Sequence, residues 1–214
     1  MDNKKLKNKE LILATHNDGK IKEFQDLMHK VNVKISNLKK YKIEDEPVEN
    51  GSTFSENAQI KLEYYFSRLN DLTSSDKSNI YLLSEDSGIE IDFLDGKPGI
   101  KSARYGGNIT TIERNEMILK SLSGVDSKKR KARYVSCIKL LNFKDEIIFE
   151  FIGYCEGHIS NESSGKDGFG YDPIFIPLGY NKTMSLLGDK VKNDISHRSI
   201  ATKKMIKSIF KNER

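Results

Sequence analysis

None of the short motifs that mark most nucleotide and hydrolase sites occurs in these 214 residues. There is no GxxxxGK(S/T) phosphate loop, no HExxH and no GxSxG, which excludes those templates at motif level. Gly165, Gly168 and Gly170 lie close together, but no strand precedes them as a dinucleotide fold requires. Cysteine is scarce: Cys137 and Cys155 are the only two. Without CxxC or a Cys/His spacing, a zinc centre is excluded. Both read as reduced core residues in strand-like runs, with a disulfide as the alternative. No apolar run approaches the roughly 18 residues that span a bilayer. The first ten residues are polar and lysine-rich, without the apolar core of a signal peptide. The expectation is a soluble cytoplasmic protein with no membrane partner and a flexible tail over residues 1–9.

Charge of one sign is also in short supply. Lys and Arg total 36 against 31 Asp and Glu, a net charge of +5. The basic residues are dispersed, not gathered on one face or tail, so polymeric nucleic acid is not the expected partner. A locally basic pocket for a small polyanion stays open. No internal repeat and no convincing linker divides the chain, so a single domain over 1–214 is expected.

What is present is a mixture of strand and helix signals. Leu11 to Thr15 reads as a buried strand, Asn17-Asp18-Gly19 as a turn, and Ile21, Phe24, Leu27, Met28 and Val31 as a helical stripe. Val31, Val33 and Ile35 alternate as a second strand. Thr53 and Glu56 match a capping box before the stripe Phe54, Ala58, Leu62, Tyr65 and Leu69; Thr110 and Glu113 match another. Ile80 to Ser84 reads as a buried strand, with Ile89, Ile91 and Phe93 alternating after it. Ser127 to Arg133 reads as a basic linker. Ala132 to Leu141 and Glu146 to Tyr154 read as an antiparallel hairpin. A last helix is expected from near Ser196, packing through Ala201, Met205 and Ile209. The fold class is α/β, a mixed sheet flanked by helices.

Five polar clusters stand at element boundaries. Thr15, His16, Asn17, Asp18, Gly19 and Lys20 join a strand to a helix start, where backbone N–H groups attract phosphate, unless the turn is an ordinary cap. Glu49 precedes a helix on which Asn57 and Lys61, four apart, share a face. That set suits a metal-bound phosphate or a solvated acidic loop. Glu85 and Asp86 follow an apolar run; in an extended chain they point to opposite faces, so one serves a site and the other braces it or meets solvent. Gly168, Phe169, Gly170, Tyr171 and Asp172 offer close backbone approach and two aromatics to clasp a planar base, or a turn with two core aromatics. Lys192, Ser196, His197 and Arg198 join a cation, a helix cap and a His-Arg pair, and taken alone they read first as a capping or core histidine beside a surface arginine.

Together the clusters resemble the inosine triphosphate pyrophosphatase family, from Leu11 to about Met205. The matching stretches are ATHNDGKIKEF, GSTFSENAQIK, SEDSGIEID, GKPGIKSARYGG, GFGYDPIF and KNDISHRSIA, in this order and spacing. The resemblance implies an elongated mixed sheet with two lobes and a central cleft, a homodimer and a Mg2+ cofactor. It implies hydrolysis of non-standard purine nucleoside triphosphates, ITP, dITP and XTP, to the monophosphate and pyrophosphate. Carried over by position, Thr15, His16, Asn17, Asp18, Gly19 and Lys20 would hold the triphosphate, with Lys61. Glu49 and Asp86 would bind metal, and Asp86 would be the general base. Ser87 would line the substrate site. Phe169, Gly170, Tyr171 and Asp172 would hold the base, and Lys192, His197 and Arg198 would complete the pocket. Departures from the family pattern are Glu85 for an Asp, Ser163-Ser164-Gly165 for a Pro-Arg-Gly, and Ser185-Leu186-Leu187 for an Ala-Glu-Leu. They bear on rate and specificity. A related pyrophosphatase for other modified or pyrimidine nucleotides, or a non-catalytic nucleotide-binding protein, are the alternatives.

Overall fold

The computed structural model describes residues 9–71, 77–166 and 168–210. The expected tail therefore lies outside the described residues except for Lys9, whose Nζ donates to the Ile209 carbonyl at 3.4 Å. Residues 72–76, in a stretch whose sequence reads as a polar loop from Asp71 to Asn79, also lie outside them.

Six strands form one sheet: β1 (Glu10–Leu13), β2 (Lys34–Asn37), β3 (Ile80–Ile91), β4 (Lys131–Asn142), β5 (Ile148–Ile159) and β6 (Phe175–Pro177), in the order β2-β1-β3-β4-β5-β6. The helices are α1 (Asp18–Met28), α2 (Phe54–Leu69), α3 (Thr111–Ser121), α4 (Met184–Ile195) and α5 (His197–Met205). β1 pairs in parallel with β2 and β3, and β6 pairs antiparallel with β5. β4 and β5 are neighbours joined by only residues 143–147, too short for a parallel crossover, so the expected antiparallel hairpin is present. The mixed α/β class stands. None of the described helices is long and apolar enough to cross a membrane.

The chain forms two compact units. Unit 1 comprises the chain up to Asp86, Cys137–Ile152 and the chain from Ala201; unit 2 comprises Ser87–Ser136 and Gly153–Ile200.

In unit 1 the pleat sorts the core into two clusters. Leu11, Leu13, Tyr81 and Leu83 face Ile21, Phe24 and Met28 of α1 and Ala201 and Met205 of α5. Their neighbours Ile12, Ala14, Ile80 and Leu82 face Leu62, Tyr65 and Leu69 of α2. Period-2 strands packed against period-3.6 helices on both sides give this division. In unit 2, Ile118 and Leu122 pack with Ile89, Ile91, Tyr134, Cys155, Ile159 and Phe175.

Three sequence expectations are corrected. β3 does not stop at Ser84: it runs unbroken to Ile91, because Gly88 keeps extended backbone, and Phe93 lies beyond it in a short turn. Ser127 to Arg133 is not a linker. Arg130 is buried and its guanidinium donates to the carbonyls of Leu122, Ile159 and Ser160, closing α3 against two strand ends. The hairpin's second strand starts two residues late and runs to Ile159. α4 was unforeseen: Gly188, at φ 76°, interrupts its helical pattern.

Candidate functional site

In unit 1 the parallel pairing of β1 with β3 fixes the first set of residues. Leu13 is in register with Leu83, and the Ala14 N–H donates to the Leu83 carbonyl at 2.7 Å. The chain leaving β1 therefore turns beside Ser84, Glu85 and Asp86. Ligands of such sheets gather at the carboxyl ends of the strands. Asn17 caps α1, its Oδ1 accepting from the Lys20 N–H at 3.0 Å, and the Asn17 N–H donates to Thr15 Oγ1 at 3.2 Å. Asn17 and Asp18 are exposed, and Gly19 is half-buried. His16 has a buried Nε2 with no hydrogen-bond partner, and its ring meets Tyr65 edge-on.

Glu85 and Asp86 divide as the pleat requires. Glu85 continues the α1 face and pairs with Lys20, Oε2 to Nζ 2.9 Å, with both side chains largely enclosed. Asp86 continues the α2 face. Its Oδ2 accepts from Asn57 Nδ2 at 3.1 Å and its Oδ1 from Lys61 Nζ at 3.1 Å. Lys61 also reaches Glu49 Oε1 at 3.3 Å. One buried ammonium thus stands against two carboxylates from separate segments.

The loop carrying Glu49 is shaped by its neighbour Gly51. The Gly51 N–H donates to Asn57 Oδ1 at 2.9 Å, and a Cβ there would lie 2.7 Å from the Glu56 Cβ. Thr53 caps α2 by accepting from the Glu56 N–H at 3.1 Å. The Glu56 carboxylate reaches Ser52, not Thr53, so this capping box is half-formed; the Thr110–Glu113 box is complete. The hydrogen bonds from Ser52 hold the Glu56 carboxyl below its ordinary value.

In unit 2 the second set centres on Asp172, which is 3% exposed. Its Oδ2 accepts from Lys192 Nζ at 2.6 Å and from the Phe169 N–H at 3.0 Å. Its Oδ1 accepts from the Tyr134 hydroxyl at 3.3 Å, and that hydroxyl accepts in turn from the Tyr171 N–H at 3.1 Å. Burial, then the charge of Asp172, pushes the Tyr134 phenol well above its ordinary pKa. Gly168 has φ 84°, and a Cβ on it would fall 2.3 Å from Asp172 Oδ2. The carboxylate therefore fits only against a glycine.

Phe169 is the aromatic with an open side, 37% exposed. Lys192 Nζ lies 4.4 Å and Arg198 Cζ 5.5 Å from its ring centroid. Arg198 is fully buried and Nη2 donates to Ser87 Oγ at 3.0 Å. His197 stacks on Tyr134, centroids 4.6 Å apart and planes within 7°. Ser196 joins α4 to α5 and accepts from the Ser199 N–H at 3.1 Å. Tyr171 does not share the openness of Phe169. Its ring is core and its hydroxyl donates to the Ser102 carbonyl at 2.8 Å. Gly170 is held through its carbonyl by Asn115 Nδ2 at 3.1 Å.

The sequence singled out neither Tyr134, Asn115 nor Gly51. Tyr134 and Asn115 carry no local signal, being one strand and one helix residue among many. Gly51 stood in plain view just before a helix cap.

The family model described as the Ham1 family matches residues 11–208. This chain belongs to the Ham1 family. It is 39% identical over 202 residues to a protein of Caldanaerobacter subterraneus named dITP/XTP pyrophosphatase, covering 94% of this chain and 96% of that one. It is 38% identical over 200 residues to a Bacillus subtilis protein of the same name, covering 93% and 96%. Among solved structures, a HAM1 protein from Coxiella burnetii superposes with a TM-score of 0.79 at 33% identity, over 95% of this chain and all of the other. The Ham1 protein of Staphylococcus aureus does so with a TM-score of 0.78 at 33% identity, over 92% and 96%.

Proposed function

We propose that this Ham1-family chain hydrolyses non-standard purine nucleoside triphosphates, ITP, dITP and XTP, to the nucleoside monophosphate and pyrophosphate with Mg2+, clearing them from the nucleotide pool. The observation that carries the reading is the meeting of Glu49 and Asp86 on the Lys61 ammonium. It occurs in a chain closely similar to proteins named dITP/XTP pyrophosphatase.

The residues suit the cation. Glu49 and Asp86 supply hard oxygen donors and already gather positive charge. Mg2+ ordinarily takes one or two carboxylates, keeps several waters and binds substrate phosphates. Bound there, the cation would neutralise phosphate charge and lower the pKa of the attacking water.

The chain's own groups do the rest. An Asp86 carboxylate oxygen takes the proton of the attacking water. Asn57 holds that carboxylate in orientation from a fully buried position. Lys61 and Lys20 balance charge developing on the phosphates. Asn17, Asp18 and Gly19 open α1, whose free N–H groups favour an anion. His16 Nε2, buried without a partner, gains one from a phosphate oxygen, recovering about 1–3 kcal/mol. Glu85 keeps Lys20 in place and lies off the metal.

For the base, the open side of Phe169 takes the purine, with Gly170 and Tyr171 contributing backbone. Asp172 orders the loop, and Lys192, His197, Arg198 and Ser87 bound the pocket. A 6-oxo purine offers an acceptor where adenine offers a donor. Donors on Arg198, His197 or the backbone would face a donor with adenine, and such mismatches discriminate up to roughly 10⁴-fold. The chain works as one catalytic domain, a cytoplasmic homodimer. The family resemblance supports the dimer, and two buried free cysteines suit a reducing compartment.

A substrate panel with product analysis tests this. Pyrophosphate released from ITP, dITP and XTP much faster than from ATP is the expected result. Release of single phosphate would overturn the reaction type. Preference for a pyrimidine nucleotide would overturn the substrate class. Tight nucleotide binding without turnover would select a binding protein.

A further inference from the structure

Residues 44–51 have no regular structure and carry four carboxylates, on Glu44, Asp45, Glu46 and Glu49. Like charges this close repel, and no ladder of backbone hydrogen bonds opposes them. Val48, in the middle, is 81% exposed and brings no packing. The place of Glu49 therefore depends on how the loop is fastened at its ends.

The downstream end is held by Gly51 on Asn57, within the site itself. The upstream end is held elsewhere. Asp45 Oδ2 accepts from Arg68 Nε at 3.0 Å and lies 2.9 Å from Arg68 Nη2, a forked contact, and it also accepts from the Tyr64 hydroxyl. The Asp45 carbonyl accepts from the Tyr65 hydroxyl at 3.2 Å. Tyr64, Tyr65 and Arg68 all stand on the C-terminal half of α2, the helix that carries Asn57 and Lys61.

This fastening is built outward from the core. Tyr65 is buried in the cluster under α2. Tyr64 meets it edge-on at 5.2 Å, and the Arg68 guanidinium lies over Tyr64, Cζ 3.4 Å from the ring centroid. An isolated exposed ion pair contributes little, because two long side chains must be ordered in water. Here the arginine is already ordered by the ring beneath it, so the fork meets Asp45 with less entropy lost. The hydrogen bond from Tyr64, followed by those from Arg68, holds the Asp45 carboxyl below its ordinary value.

We propose that Asp45, gripped by Arg68 and Tyr64, is a positioning residue that fixes the acidic loop to α2 so that Glu49 stands ready beside Lys61 and Asp86, and so sets the affinity of unit 1 for a divalent cation. The inference rests on the reading of Glu49 and Asp86 as metal-binding carboxylates. It assigns a role to three residues that touch neither metal nor substrate. Without the grip, the upstream end is left to the Tyr65 hydroxyl on the Asp45 carbonyl and, behind it, to buried Ile43, whose N–H donates to the Leu38 carbonyl at 3.2 Å. Glu49 would then hang from a more loosely fastened, self-repelling loop.

The test compares Asp45→Asn, Arg68→Ala and Arg68→Lys with Glu49→Gln in the full chain. Mn2+ binding is measured by electron paramagnetic resonance, amide exchange of residues 46–50 in metal-free protein by mass spectrometry, and pyrophosphate release against Mg2+ concentration. Asp45→Asn and Arg68→Ala are expected to weaken Mn2+ binding and raise the half-saturating Mg2+ concentration about tenfold, the scale seen when supporting groups behind a metal ligand are removed. Exchange of 46–50 should quicken, and kcat at saturating Mg2+ should stay near that of the unaltered protein. Arg68→Lys, which keeps charge and loses the fork, should fall between. If Glu49→Gln weakens metal binding while the Asp45 and Arg68 variants change neither affinity nor exchange, the positioning role is wrong. A lowered kcat at saturating metal with unchanged affinity would also overturn it. If Glu49→Gln itself leaves metal binding intact, the metal reading has failed.

Discussion

Lys192 places its ammonium 2.6 Å from Asp172 Oδ2, and both side chains are almost sealed from water. A buried pair of this kind adds little over an apolar substitute, yet breaking it is expensive because one charge is left enclosed alone. The pair also shapes the loop above it, since the same Oδ2 receives the Phe169 N–H. The fold and the proposed base pocket therefore share one carboxylate.

Asp172→Asn is expected to destabilise the protein by about 3 kcal/mol, the low end for a broken buried pair. That corresponds to a drop in melting temperature of roughly 6–12 °C for a chain of this size. Denaturant unfolding and calorimetry measure it. An unchanged melting temperature would mean that Lys192 finds another partner at no cost.

Gly168→Ala is expected to raise KM for ITP far more than it lowers kcat. The new methyl must displace the Asp172 carboxylate, and φ 84° is itself unfavourable for alanine. The proposed metal-binding set in unit 1 is untouched, so Mn2+ binding should be unaltered. A variant with normal KM would detach the Phe169 loop from base recognition.

Asp86→Asn is expected to reduce kcat by about 10²–10⁴-fold, the range for loss of a general base. Circular dichroism should be unchanged, because asparagine still offers Lys61 an oxygen. Near-normal turnover would remove Asp86 from the chemistry.

The acid limb of stability should involve Glu10. Burial opposes its ionisation, but hydrogen bonds from Lys40 and Ser36 prevail and hold its pKa below the ordinary 4.5. A depressed carboxyl adds stability above its unfolded pKa and loses it as pH falls through the folded value. Stability should therefore decline from about pH 4.5 downward. Glu10→Gln should flatten that decline while lowering stability at pH 7. Urea midpoints across pH 3–7 measure both; a decline of equal steepness in the variant would exclude Glu10.

Cys137 and Cys155 should resist thiol reagents in the native protein. Burial pushes each thiol up to about 12, so little thiolate exists at neutral pH. Both should react promptly in denaturant. Rapid labelling of folded protein would contradict their burial.

Much of this was legible in the chain. Alternation alone separated Glu85 from Asp86, because period 2 is a property of any extended backbone. Helical spacing put Asn57 and Lys61 on one face. The assignment of Lys20 to Glu85 was not legible, since it depends on the register of β1 against β3. The polar run Glu85 to Gly88 ends the apolar strand signal at Ser84, and the partners β3 finds on either side outweigh that local preference. Tyr171 sat in a motif with an open aromatic, but local sequence does not say which of two nearby rings turns inward. The expectation at Thr53 captured the cap and missed the competitor, Ser52, which takes the Glu56 carboxylate.

The unbroken run of β3 carries a lesson about how such a chain can change. Losing or gaining a single residue ahead of Glu85 would rotate every later side chain to the other face. The carboxylate meant for Asn57 and Lys61 would then confront α1. Drift in this strand can proceed by replacement, or by lengthening in pairs, but a one-residue deletion would silence the chemistry even if the sheet survived.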